Sequence, residues 1–298
     1  MAIAKRVFLF FFVNILILLT LTVLMNVAAA FGFRISPTGY GPLMAWALAW
    51  GMGGSLISLL MSKTIAKWSM GVKVIEPDAS TPELRSLVAQ VQSLAQRAGL
   101  PSTPEVGIYE SPEVNAFATG PSKGNALVAV STGLLRRLSR DEREAVLGHE
   151  ISHVANGDMV TMTLLQGVVN AFVLFFARVI ATLAGGAVGG RNRWVVEFVV
   201  MVTLQIALGL LGTIVVSFYS RRREFRADAG GATLAGRQKM IAALQALGRT
   251  RELVAPAEGA FAALKIAGPN GFASFFMSHP PLEERIAALE RSAPGRTI

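Results

Sequence analysis

The 298-residue chain contains no cysteine and only three histidines, and charged residues make up just 16% of it. The missing cysteine excludes a disulfide framework and any cysteine nucleophile, and it suits a reducing compartment. So little charge, set against 52% apolar residues, excludes an ordinary soluble domain. Asp and Glu number 19 against 28 Lys and Arg, a net charge of +9. No basic stretch is interleaved with aromatic residues, so nucleic acid is not an expected partner. The excess is read instead as juxtamembrane lysines and arginines facing anionic lipid. No internal repeat or low-complexity tract is present.

The apolar excess sits in four stretches, about residues 7–33, 41–61, 160–184 and 194–219. Each is long enough to cross roughly 30 Å of hydrocarbon, which takes about 20 helical residues. A pair of buried core helices is the alternative for the last two. The first stretch is too long for a signal-peptide core and lacks a clear small-residue cleavage site, so it is read as a retained anchor. Lys5, Arg6, Lys63, Lys67 and Arg221 to Arg223 flank one side of the spans, against Arg34, Arg191 and Arg193 on the other. That bias puts both termini and the polar regions in the cytoplasm. Two charges fall inside the third and fourth spans, Arg178 and Glu197. An antiparallel hairpin brings them to similar depth, and an Arg178–Glu197 pair is expected, with separate snorkelling as its rival.

Two polar blocks remain, about Trp68 to Asp158 and Ser220 to Ile298. They are expected to fold together around the membrane hairpin. In the first, Thr81 and Pro82 start a helix that Gly99 ends. The runs "EVGIYE", "VNAFAT" and "ALVAVS" read as short strands. A second helix begins at Ser139, where "SRDE" forms a capping box with Glu142, and Asn156-Gly157 stops it.

That second helix carries "GHEISH". Residues four apart share a helical face, so His149 and His153 can point two imidazoles at one ion. Glu150, one position round, can reach a water molecule there, the arrangement H-E-x-x-H zinc proteases use. A catalytic zinc usually takes three protein ligands. No histidine follows at metzincin spacing, since Asn156 stands at that motif's glycine position and the next histidine is His279. Glu224 in "SRRREFRADAGGA" is the preferred third ligand. Asp228, four residues on, can take the free ring N–H of a ligating histidine. Glu224 balancing the arginines around it is the alternative. Asp158, past the helix stop, and Glu197 are poorer candidates.

The stretches "LGHEISHVANGDMVTMTL", "SRRREFRADAGGA", "NAFATG" and "SHPPLEERI", with the order of spans, resemble the HtpX family of bacterial membrane zinc metalloproteases, related to the CAAX prenyl proteases. The resemblance implies an α+β fold: a zincin-like metalloprotease domain built from two chain segments, combined with about four transmembrane helices. The expected division is 1–67 (two spans), 68–158 (first part of the cytoplasmic domain), 159–219 (membrane hairpin) and 220–298 (second part). It implies one Zn2+ per chain on His149, His153 and Glu224, with Glu150 as general base. Asn115, Ala116 and Phe117 match a substrate-pairing edge strand; an ordinary buried strand is the alternative. His279 can donate to the developing oxyanion or be structural. The implied activity is endopeptidase action on misfolded or damaged membrane proteins under stress, at the bacterial inner membrane. An intramembrane protease and a non-catalytic zinc-binding scaffold are the rival readings. A reporter fused after Ile298 is expected to work on the cytoplasmic side; activity confined to the periplasm contradicts this topology.

Overall fold

The computed structural model describes residues 40–76, 81–253, 277 and 279–291. The first apolar stretch, 7–33, lies outside them. The chain divides into two compact units, within Met1–Leu60 and Thr161–Val216 and within Met61–Val160 and Ser217–Ile298. Helices and a small sheet give a mixed α+β fold.

Among the described residues three helices are long and apolar enough to cross a membrane. They are α1 (Tyr40–Met70), α5 (Asp158–Val188) and α6 (Arg193–Ala235). In the first unit they expose Leu48, Leu56, Phe172, Phe176, Phe198, Ile206 and Leu210, large apolar side chains that a soluble protein would bury. Such helices suit lipid, where the backbone must satisfy itself. The expected Arg178–Glu197 pair is not what holds this hairpin. Glu197 accepts from Arg193, one turn away on its own helix, at 2.8 Å, and Arg178 Nη1 lies 4.0 Å from Met201 Sδ. A partner four residues back is reached without any interhelical fit, so the local pair wins.

The second unit is built on a four-stranded sheet of order β1-β2-β4-β3. The strands are β1 (Lys73–Val74), β2 (Glu105–Tyr109), β3 (Ala116–Ser122) and β4 (Asn125–Ser131). β2 and β4 run parallel, whereas β1 and β3 are antiparallel to their neighbours. β4 is central and buried on both faces, hence its unbroken apolar run "ALVAV". Its Val128 and Val130 join Leu94 of α2 (Pro82–Arg97), Leu147 and Ile151 of α4 (Arg140–Asn156), and Leu244 of α7 (Arg237–Leu253) in the main core. Its Leu127 and Ala129 pack instead with Val72, Tyr109 and Phe117. β3 is an edge strand that lies against α4.

Local signals explain the element ends. Thr81 stands at the N-cap of α2, but its side chain makes no capping hydrogen bond; Pro82 supplies the pre-set φ. At α4 both halves of the Ser139–Glu142 capping box form, at 3.3 and 2.8 Å. Gly157 ends that helix in the left-handed region, at φ 71°. Lys63 and Lys67, assigned to lipid above, both reach Glu105 on β2, at 2.8 and 2.6 Å. Ser139→Ala is expected to destabilise the second unit by about 1 kcal/mol, read as a lowered thermal midpoint. An unchanged midpoint contradicts the role given to the cap.

Candidate metal centre

The motif helix α4 is buried on all sides over its second half, from Ala145 through Val154 apart from half-exposed Glu150. α6 crosses it closely. A Cβ on Gly230 would sit 2.5 Å from Ser152 Oγ, so the "AGGA" of α6 is what lets the two helices approach. The crossing sets Glu224 of α6 against the histidine face of α4.

His149 Nε2 and His153 Nε2 are 3.1 Å apart, and Glu224 oxygens lie 3.5 and 3.4 Å from them. Two nitrogens and an oxygen bound tetrahedrally at about 2.0–2.1 Å from zinc would be spaced about 3.3–3.4 Å apart. The donor set therefore fits a zinc-sized cation. A second observation agrees. Glu224 is 1% exposed, yet among the described residues neither carboxylate oxygen receives a well-directed hydrogen bond. A buried carboxylate without such donors needs a positive partner.

Each histidine is held from behind. His149 Nδ1 is 2.9 Å from Asp228 Oδ1, and His153 Nδ1 is 2.6 Å from Asp158 Oδ2. These contacts place the ring N–H on Nδ1 and turn Nε2 toward the centre. Arg285, on α8 (Leu282–Arg291), donates to both oxygens of Asp228 at 2.6 and 2.7 Å and is itself buried. Arg226 approaches Asp158 at 3.7 Å.

Burial alone would disfavour charge on His149, but Asp228 and Glu224 raise its pKa to about 9. His153 is likewise raised, against its burial, by Asp158 and Glu224. Burial would raise Glu224, yet the three histidines hold it far below the carboxylate range. Asp228, also buried, is held low by Arg285 and His149. The carboxylates thus draw positive charge to this point, which protons on the histidines or a divalent ion can supply.

The structure brings together His149, His153, Glu224 and Asp228. His279 also arrives: its exposed ring has Nδ1 2.9 Å from Glu224 Oε2. Asn115 is exposed at the start of edge strand β3, with Ala116 and Phe117 in it. Burial and the Glu113 and Glu150 carboxylates push the Tyr109 phenol up to about 12, opposed by the neighbouring Asn115 side chain. Sequence reasoning missed Asp158 and Arg285 as supports. The signal for Asp158 was its position just past a left-handed glycine, where a new helix starts beside the second histidine. An arginine among the charged residues of an amphipathic helix gave none for Arg285.

Fold and site define a metallopeptidase anchored by membrane-type helices. The profile of Peptidase family M48 matches residues 82–293. Protease HtpX of Tolumonas auensis is 49% identical over 295 residues, covering 96% of this chain and 98% of the relative. Protease HtpX of Aeromonas hydrophila subsp. hydrophila is 50% identical over 296 residues, covering 96% and 99%. The crystal structure of S. mikatae Ste24p superposes with a TM-score of 0.68 at 19% identity. That match covers 97% of this chain but 65% of Ste24p, and shows a shared fold. The chain belongs to Peptidase family M48, among its HtpX proteases. It is a membrane metalloendopeptidase, which answers the scaffold reading.

Glu224→Ala is expected to abolish stoichiometric metal binding. Asp158→Asn and Asp228→Asn should each weaken it by about 10–100-fold, measured by chelator competition. Wild-type affinity in Asp158→Asn would remove that residue from the site.

Proposed function

We propose that this protein is a zinc endopeptidase of the bacterial inner membrane that cleaves misfolded or damaged membrane proteins under stress. The reading takes segments 68–158 and 220–298 as one cytoplasmic catalytic domain, with 1–67 and 159–219 as membrane anchors. The observation that carries it is the convergence of two Nε2 atoms, 3.1 Å apart, on the Glu224 carboxylate, whose Oε2 lies 3.5 Å from His149 and whose Oε1 lies 3.4 Å from His153, with Glu150 next to the first histidine.

His149, His153 and Glu224 would hold one zinc ion, with Asp228 orienting His149. When bound, zinc supplies Lewis acidity that polarises the scissile carbonyl and acidifies a water molecule. Glu150, half-exposed beside the ligands, takes the proton of the attacking water on its carboxylate. It then delivers that proton to the leaving nitrogen, so one group serves as base and acid. His279, whose exposed ring has Nδ1 2.9 Å from Glu224 Oε2, would donate to the developing oxyanion.

The substrate would lie extended along the edge strand at Asn115, Ala116 and Phe117. Main-chain hydrogen bonds hold a peptide there while its side chains project freely, which suits broad specificity. The motif helix α4 is charged at its start, "RDERE", and precedes the apolar run of α5. That order supports a cytoplasmic site over an intramembrane one.

Glu150→Gln is expected to lose peptide hydrolysis by at least about 100-fold while still binding one zinc, because only the proton carrier changes. Near-normal turnover in this variant would refute the mechanism. Loss of zinc would place Glu150 among the ligands instead.

A further inference from the structure

Reading β3 as the strand that receives substrate leaves a question: what fixes which of its main-chain groups face outward? A one-residue slip would exchange the inward and outward sets. The answer lies at the other end of the ladder, in a buried serine of the central strand.

Ser131, fully buried, ends β4. Its main-chain N–H donates to Asn115 O at 2.9 Å, and its Oγ accepts from Asn115 N–H at 3.1 Å. Both main-chain groups of Asn115 are thereby committed to the sheet. The register continues through Phe117↔Ala129 and Thr119↔Leu127. Hydrogen-bonded pairs alternate along an antiparallel ladder, so Ala116 and Ala118 turn their N–H and C=O away from β4, toward the open edge.

The hydroxyl is used completely. It donates to Glu113 O at 2.6 Å and accepts from Leu134 N–H at 3.0 Å as well as from Asn115. One donor and two lone pairs are all a serine has. Capping α3 (Thr132–Arg137) needs only the Leu134 contact. The other two reach back to the segment that enters the edge strand. The next two residues continue the hold: Thr132 Oγ1 accepts from Ser111 N–H at 3.3 Å, and Gly133 N–H donates to Ser111 O at 2.8 Å.

We propose that Ser131 is a positioning residue for substrate, setting the register in which Ala116 and Ala118 offer their main-chain groups to an extended peptide. It touches no substrate itself. The proposal rests on the edge-strand reading above, and the test separates the two.

The experiment uses the full-length, zinc-loaded protein in detergent, with fluorescein-labelled casein as the substrate probe. Ser131→Ala removes the hydroxyl and its three hydrogen bonds. KM is expected to rise roughly ten-fold, with kcat and bound zinc within about two-fold of wild type. Ala118→Pro deletes an outward N–H at an edge position that tolerates proline, and reports on the strand itself. A raised KM in Ala118→Pro beside an unchanged KM in Ser131→Ala overturns the proposal and leaves the edge reading standing. Unchanged KM in both overturns the two together. A fall in kcat or zinc as large as the rise in KM marks a general structural role and also overturns it. If Ser131→Ala does not fold, Ser131→Cys, similar in volume but weak in hydrogen bonding, is judged by the same KM criterion.

Discussion

The carboxylate of Glu224 is sealed from water with histidine nitrogens, rather than main-chain amides, around it. Moving such an anion out of water costs several kcal/mol unless positive charge compensates it at close range. The neighbouring elements can be understood as meeting that demand. α4 presents two imidazoles on one face, the glycines of α6 let the helices touch, and Asp228 and Asp158 bias both rings toward the centre. Arg285 balances Asp228, so the extra carboxylate does not itself become an uncompensated buried charge.

This balance also explains why the catalytic unit is assembled from distant chain segments. α4 belongs to the first polar block, Glu224 and Asp228 to the far end of α6, and Arg285 to α8. Asp158 opens α5 and Glu224 lies on α6, so the helices that carry the long apolar runs also carry metal-site residues.

Much of this was legible in the sequence. Helical spacing alone put His149 and His153 on one face, and a four-residue step related Glu224 to Asp228 in the same way. The capping box and left-handed glycine that bound α4 were equally readable, because they are local. What escaped depends on tertiary approach. Asp158 seemed to lie beyond the helix stop, yet Gly157 turns the chain so that the next helix starts with that carboxylate on His153. Arg285 contacts a residue 57 positions away, a distance no periodicity encodes. The Arg178–Glu197 expectation failed for the converse reason: a depth argument overlooked Arg193, one turn from Glu197 on the same helix.

The central claim is that two imidazoles and one carboxylate form an open, three-ligand zinc site. Zinc K-edge X-ray absorption on the purified protein tests it most directly. The account predicts a four-coordinate first shell of nitrogen and oxygen at about 2.0–2.1 Å with outer-shell scattering from two imidazoles. A six-coordinate all-oxygen shell, or a spectrum showing fewer than two imidazoles, would contradict it.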